Sequence, residues 1–320
     1  MSQVNLPGCF CNGEMQNIGQ SNAEKLFDIK EGMFIVPLLD SDGNRNSFNL
    51  AASDLDQELL DKVNDPDPSK RWYPYHQLKN VTEEQADATF AEADNGEKDK
   101  LRNGIKSITE EMWSTGHQFF GKVVENCVPF GVVCIDVCGN MLGEKESKTS
   151  TLLYPRTVNH RSVDKMFMNK TNNDAQKITL TYDYGYLTSD ANQYVVPKSA
   201  FTTVDPRQLS GMLDVNLTLT AIANDEIQID ATLDYGDAID LTPVQGLVTG
   251  DFTMKNLDDG GATVTIVIAE STSVPGRYTA TIDSGDLPTA GDELTVEVFK
   301  AAASNLEKGK EGDPVIVEAI

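Results

Sequence analysis

The chain has little histidine or tryptophan and no long apolar run. Among its 320 residues there are three histidines and two tryptophans. His76, His117 and His160 have no second histidine or cysteine at the spacing of metal ligands, and His117 fits a surface or capping role better than catalysis. No segment approaches the roughly 20 apolar residues that span a bilayer. These absences argue against a histidine-based metal site and against a membrane span.

Motifs of nucleophilic and nucleotide chemistry are also absent. The sequence contains no Gly-x-Ser-x-Gly elbow, no Gly-x4-Gly-Lys-Ser/Thr loop and no Gly-x-Gly-x-x-Gly loop. Acid pairs such as Glu110-Glu111 are common in this chain, and a glycosidase needs two carboxyl groups across a cleft, which spacing alone does not reveal. We therefore predict that the protein is not an enzyme, with no catalytic residues, no cofactor-binding residues, no metal ligands and no cofactor.

Basic residues are scarce relative to acids. The chain has 26 Lys/Arg and 50 Asp/Glu, for a net charge of −24. Residues 212–320 contain 5 Lys/Arg and 20 Asp/Glu, a net charge of −15. The first 211 residues contain 21 Lys/Arg and 30 Asp/Glu, a net charge of −9. A surface this acidic repels phosphate, so we predict no specific nucleic-acid binding. A solvated acidic face is favoured over a divalent-cation site in residues 212–302, although such a site stays open.

The chain has an odd number of cysteines, and all of them lie in its N-terminal half. The spacing of the five residues differs from the paired Cys-x(2–4)-Cys knuckles of zinc sites. They are Cys9, Cys11, Cys127, Cys134 and Cys138. We predict small buried or half-buried thiols in a protein made in a reducing cytoplasm, with zinc as the less favoured alternative. The first residues, Met-Ser-Gln-Val-Asn-Leu-Pro-Gly, lack the basic and apolar regions of a secretory signal, which agrees with that expectation.

The last third of the chain alternates apolar and polar residues in short stretches bounded by Gly, Asp or Pro. This pattern buries one face of a strand and leaves the other in water. The stretches are residues 215–220, 261–268, 276–282 and 293–299. Strands at this spacing, without a helical pattern between them, predict a two-sheet sandwich that follows a joint at residues 206–211.

The first part of the chain mixes a polar arm with a strand and a helix. Residues 1–30 show no period and predict an arm that orders only against a partner. The apolar run 33–39 followed by Asp42-Gly43 predicts a hairpin, which is favoured over a calcium loop because Arg45 and Ala51 replace the Gly and acid that such a loop requires. A helix is expected to begin at Ser53 and to bury Leu55, Leu59, Leu60 and Val63.

The middle of the chain predicts a β-rich domain with few helices. The aromatic segment 71–76 is interpreted as packing or assembly rather than a carbohydrate or peptide platform, and residues 82–102 as an exposed loop or hairpin tip. Strands are expected at residues 105–113, 130–137, 166–168 and 177–184, with a short strand at Tyr154-Pro155 and a helix at 115–126. This order indicates one sheet or a small sandwich with a helix packed on its side.

Two sets of segments resemble known families. Residues 243–247, 250–253, 275–278 and 290–294 resemble bacterial and phage Ig-like domains, over residues 212–302. Residues 102–110, the Phe119-Phe120 helix and residues 130–140 are similar to phage virion proteins, more narrowly to tail-tube subunits. The resemblance implies a mainly β (α+β) fold, with an N-terminal tail-tube-like β-sandwich with a flanking helix and a C-terminal Ig-like β-sandwich.

The same resemblance implies a function and a domain plan. We expect a structural subunit of a phage virion, a tail-tube or tail-ring protein. Its copies are expected to form stacked hexameric rings and to contact other virion proteins. The Ig-like domain is a candidate for contact with host surface glycans, and the protein is expected in the virion after synthesis in the host bacterial cytoplasm. The expected domains are the N-terminal arm (1–30), the tube-like assembly domain (31–208), the Ig-like domain (212–302) and a C-terminal tail (303–320).

Two alternatives to a tube subunit remain open. One is another virion component, such as a capsid, decoration or head-fibre protein. The other is a surface adhesin that binds through the Ig-like domain and the aromatic residues 72–75, although the absence of a secretory signal counts against it.

Overall fold

The structure is a computed structural model that divides into two compact units between Leu209 and Ser210. It describes residues 27–92, 98–102, 104–113, 129–147, 149–185, 192–234, 241–302 and 308–320. The described chain is mainly β, as predicted. The arm up to residue 26, the helix expected at 115–126, and His117, Cys9, Cys11 and Cys127 lie outside the described residues.

The first unit contains helix α1 and strands β1 to β14. The helix is Leu55–Val63, and 3-10 turns lie at His160–Ser162 and Lys198–Ala200. The strands are β1 (Lys30–Pro37), β2 (Phe48–Asn49), β3 (Tyr73–Tyr75), β4 (Leu78–Gln85), β5 (Thr89–Glu92), β6 (Lys98–Arg102), β7 (Lys106–Trp113), β8 (Phe130–Asp136), β9 (Met141–Glu144), β10 (Leu152–Leu153), β11 (Arg156–Thr157), β12 (Asp164–Met168), β13 (Lys177–Asp183) and β14 (Gln193–Val196).

Two sheets dominate the first unit. One has the order β14-β9-β8-β1-β3, with β11 also paired to β8, and the other has the order β12-β13-β7-β4. Strands β2 and β10 form a small separate ladder, and β5 and β6 form another. The predicted strand at Tyr154-Pro155 is instead an isolated bridge between Tyr154 and Glu144, flanked by β10 and β11.

Strands β1 and β8 are buried on both faces, so the first unit has two hydrophobic cores. Along β1, Met33 and Ile35 pack toward the four-stranded sheet, whereas Phe34 and Val36 pack toward α1. Every residue of β8 is buried, as its continuous apolar sequence predicts. The larger sheet is therefore a middle layer, with the second sheet on one side and α1 on the other.

Helix α1 packs its apolar stripe on the middle layer and is capped by Asp54, not by the predicted Ser53. The Asp54 side chain accepts a hydrogen bond from the backbone N–H of Gln57 at 3.1 Å. Leu59, Leu60 and Val63 are buried, as their helical spacing predicts.

The aromatic segment 71–76 packs into the protein's own core. Trp72 has 0% of its surface exposed and lies 5.6 Å from Phe34 and 5.9 Å from Phe48 between ring centroids. Arg71 and Tyr75 are buried as well, which agrees with the packing interpretation for these residues, and the Trp72 indole has no exposed face for a carbohydrate. The polar stretch 82–102 forms part of β4 and an exposed hairpin of β5 and β6, in agreement with the predicted hairpin tip.

The second unit is built on one eight-stranded sheet that is nearly closed. Its strand order is β18-β17-β21-β22-β15-β16-β20-β19, and it surrounds a single apolar core. The strands are β15 (Leu213–Ala223), β16 (Glu226–Leu233), β17 (Phe252–Asn256), β18 (Ala262–Val264), β19 (Ile266–Glu270), β20 (Arg277–Ile282), β21 (Glu293–Lys300) and β22 (Lys310–Glu318), with a 3-10 turn at Thr249–Asp251.

The segment predicted as a C-terminal tail is part of this second unit. Strand β22 pairs antiparallel with β21 and parallel with β15, so the unit extends beyond the expected boundary at residue 302. In the sequence, Pro314 argues against a strand here, because proline donates no ladder hydrogen bond. Asp313 and Pro314 lie at a register shift in the β21–β22 pairing, between Val296 and Val298, where a bulge accommodates them.

Asp56 fastens α1 to the segment that follows β14. Its carboxylate accepts the backbone N–H groups of Thr202, Thr203 and Val204 at 3.0, 2.8 and 3.2 Å, and both threonine hydroxyls also donate to it. Burial by itself raises the pKa of Asp56, but these hydrogen bonds outweigh it and lower the pKa from 3.8 to about 2.

We predict that Asp56→Asn lowers the free energy of unfolding by about 1.5–3 kcal/mol at neutral pH, because hydrogen bonds to a charged acceptor are lost. A group with a depressed pKa stabilises the fold above its unfolded pKa of 3.8, and that contribution disappears as the pH falls through about 2. Urea unfolding at several pH values measures both effects. Asp61→Asn, an exposed position on the same helix, is the matched control and should change stability little. A deficit of Asp56→Asn that stays constant between neutral and acidic pH contradicts the assignment.

Candidate functional site

The most unusual group of side chains is a charge pair buried between the two sheets of the first unit. Lys30 Nζ lies 2.5 Å from Glu110 Oε2, with 8% and 0% of the two side chains exposed. The same ammonium donates to the Tyr182 hydroxyl at 2.9 Å. The contact joins β1 of the middle layer to β7 and β13 of the facing sheet.

The polar cluster continues along the same inter-sheet space. The Arg156 guanidinium stacks on the Tyr184 ring at 3.7 Å from its centroid and lies 3.9 Å from Glu144 Oε1. The Tyr184 hydroxyl is 3.6 Å from Cys134 Sγ, and the Tyr184 ring meets Tyr182 edge-on at 5.9 Å. Two cations thus share a buried layer with two carboxylates and two phenols.

Burial and mutual charge control ionisation in this cluster. Burial lowers the pKa of Lys30, but the Glu110 carboxylate more than compensates and raises it above its ordinary value. Burial, followed by the Glu110 charge, raises the pKa of Tyr182 well above its ordinary value, so the phenol stays protonated. Lys30 therefore stays protonated across the physiological range. Since Glu110 has no exposed surface, the arrangement suits the locking of two sheets better than turnover of a substrate.

A shallow groove of about 470 Å³ lies near the outer end of this cluster. Leu38, Leu39 and Pro129 give it an apolar lining. At its rim Arg45 covers the Tyr154 ring at 4.3 Å and pairs with Glu146 at 3.0 Å, so both charges already have partners within the protein.

The sequence-predicted residues of interest are dispersed. His76 is partly buried and its Nε2 contacts the Leu209 carbonyl, whereas His160 is exposed in a 3-10 turn. The turn at Asp42-Gly43 is confirmed: Asp40 accepts the backbone N–H groups of Asp42 and Asn44 at 3.0 and 2.7 Å. The predicted hairpin is wrong beyond that turn, because β1 pairs with β3 and β8 and β2 pairs with β10.

Only one of the two described cysteines matches its prediction. Cys134 is a buried free thiol, as expected. Cys138 is disulfide-bonded, so the prediction of a thiol is wrong there. Sequence spacing could not reveal this, because a disulfide depends on which Cβ atoms the fold brings together.

The described residues contain no group of three or more His, Cys, Asp or Glu side chains placed to hold a metal ion. Within the same residues, no helix is both long and apolar enough to cross a membrane.

Sheet edges form the second candidate site. Strand β12 ends the four-stranded sheet on one side and pairs with β13 without a register shift. Met166 on this strand is 51% exposed. Strand β4 ends the sheet on the other side and has a bulge between Lys79 and Thr82.

Edge strands in the second unit are protected instead. The N–H of Ile268 on β19 donates to the Thr249 hydroxyl at 3.0 Å, and the N–H of Thr265, just before β19, donates to Asp286 at 2.9 Å. Strand β18, at the other end of the sheet, is only three residues long. Side-chain caps and short length are the usual means of preventing edge-to-edge pairing.

No protein-family model, curated protein or solved structure matches this chain.

We predict that Lys30→Met lowers the free energy of unfolding by about 3–5 kcal/mol, because it leaves the Glu110 carboxylate buried without its cation. The double variant Lys30→Met/Glu110→Leu should recover most of that loss, since it removes both charges from the core. Chemical denaturation of both variants measures the difference. Lys255→Met, which makes the same change in the exposed pair with Glu297, should have a much smaller effect. If the double variant is less stable than Lys30→Met, the pair is not a locked ion pair of this kind.

Proposed function

We propose that the chain is a structural subunit of a phage virion, a tail-tube or tail-ring protein that self-assembles into stacked rings. In this proposal the first unit is a tail-tube-like β-sandwich with α1 on its flank, and it forms the contacts between subunits. The second unit is an Ig-like β-sandwich that is not required for assembly. The protein functions within the virion.

The terminal strands of the four-stranded sheet carry the proposal. The segment 160–170, around β12, has Arg161, Lys165 and Lys170 against one acid, Asp164. This is a local excess of positive charge in a chain of net −24.

The opposite end of the sheet carries the opposite charge. Strand β4 holds one lysine and two acids, Lys79, Glu83 and Glu84, and the acids Asp87 and Glu92 follow it in the chain. Because like charges placed across from each other destabilise strand pairs, β12 of one copy fits β4 of the next better than a second β12. A contact between two different edges is heterologous, and such contacts generate rings or helical filaments.

The second unit has two properties that disfavour contacts between copies. The second unit caps or shortens its edge strands, as monomeric β domains do. It also carries a net charge of −15 from residue 212 onward, which opposes close packing of like copies. Both properties suit a domain that stays outside the inter-subunit contact.

We predict that Met166→Lys abolishes or strongly reduces assembly of the purified full-length protein. A lysine there places a charge on the exposed face of the edge strand and blunts strand addition. Negative-stain microscopy and sedimentation velocity distinguish rings or tubes from single subunits. The matched control is Val267→Lys on β19, a position that is 65% exposed in the second unit, and it should assemble like the wild type.

Two results would count against this proposal. A wild-type protein that remains monomeric at low ionic strength removes the ring assignment, and closed shells point to another virion component. If Met166→Lys and Val267→Lys disturb assembly equally, the contact does not lie at β12.

We further predict that a chain ending at residue 211 assembles as the full chain does, since the first unit has its own two cores. Circular dichroism and thermal unfolding check that the shortened chain is folded before microscopy. A folded but monomeric shortened chain refutes this division of labour.

A further inference from the structure

A partly buried histidine holds the end of the first unit. The His76 Nε2–H donates to the backbone carbonyl of Leu209, 133 residues away in sequence. Leu209 is itself buried at 2% exposure in the core beside α1. It is the last residue before the division between the units, and β15 of the second unit begins at Leu213.

The second nitrogen of the same ring is buried among neutral groups. Nδ1 has no hydrogen-bond partner among the described residues. The ring meets Phe34 edge-on at 6.4 Å and lies directly against Gly32, where an added methyl would be 2.9 Å from Nδ1 and 2.8 Å from the Tyr75 carbonyl. A glycine at position 32 is therefore needed for the ring to lie there.

In the part of the chain that the structure describes, the charged groups near His76 do not supply an acceptor for a second proton. Asp205 is the charged residue that acts on the ring, but its carboxylate is engaged by Arg207 at 2.7 Å and also feels Lys198. Glu31, next to Gly32, acts on Arg207 rather than on the imidazole. Protonation would thus place a second N–H, at the buried Nδ1, where the described residues offer it no acceptor.

We propose that His76 is an acid-sensitive latch: the neutral imidazole holds Leu209 in place, and its protonation releases residues 205–209, the segment that leads into the second unit. The latch is separate from the assembly edges of the proposed function.

The direction of the pH effect follows from the environment of the ring. Burial, the largest influence, lowers the pKa of His76 below its ordinary value of 6.5, although the Leu209 carbonyl and Asp205 oppose this. A depressed histidine pKa means that the released state binds the proton more readily than the held state. The latch is therefore fully effective above 6.5 and weakens as the pH falls through the lower pKa of the held state.

Hydrogen exchange on the full-length protein tests the latch between about pH 8 and about pH 5, the range in which histidine titrates. The reporters are the backbone N–H groups of Arg207 and Gln208, which are bonded to the side chain and carbonyl of Asp205. After correction for the intrinsic rate, we expect their protection to fall by up to about tenfold for each pH unit below the pKa of the released state. Amides of β8 should keep their protection, which separates local release from global unfolding.

Two variants make the test specific. His76→Gln keeps a side-chain N–H that can donate to Leu209 but cannot titrate, so its protection at residues 207 and 208 should be independent of pH. His160→Gln, at the exposed histidine, should behave like the wild type. Equal pH dependence in wild type and His76→Gln, or pH-independent protection in the wild type, overturns the proposal.

Discussion

Strands β1 and β8 bury both of their faces, so the sheet that contains them has to be covered twice. On one side the cover is the four-stranded sheet, and on the other it is α1 with the segments around Phe48, Trp72 and Phe201. Each cover is amphipathic: α1 has a polar outer face, and β7 and β13 alternate buried and partly exposed residues. The layered architecture of the first unit follows from this single requirement, because a sheet that is apolar on both faces is stable only as a middle layer.

Charges inside these layers are matched rather than excluded. Lys30 and Glu110 pair across one core, and Asp56 collects backbone and hydroxyl donors at the edge of the other. Such groups contribute little net stability compared with apolar side chains of the same size. If one partner is displaced, however, the other remains as an unpaired buried charge, and its desolvation is no longer compensated. The contacts therefore fix the position of β1 against β7, and of α1 against residues 202–204, more strongly than they raise the stability of the fold.

The two units treat their strand edges differently, and this difference has a functional consequence. In the second unit, hydroxyl and carboxylate side chains occupy edge N–H groups, and the sheet is nearly closed. In the first unit, the four-stranded sheet ends on one side at β12, where residues 160–170 have more basic than acidic side chains, and on the other at β4, which has more acidic than basic ones. An unprotected edge strand can pair with many strands of other chains. A specific contact therefore requires side chains that favour one partner over the others. The charge difference between β4 and β12 provides that selection in the proposed assembly.

The sequence by itself determined the mainly β class, the positions of β1, β7, β8 and β13, and the apolar stripe of α1, because each depends on local periodicity. Alternation at Ile227, Ile229 and Ala231 also marks β16, a signal that sequence reasoning missed, whereas Pro314 concealed β22. Tertiary structure alone decided that Lys30 meets Glu110, that Asp56 meets Thr202 and that His76 meets Leu209. These partners are 80, 146 and 133 residues apart, and no periodic pattern encodes which distant polar groups the packing of two sheets and a helix brings together.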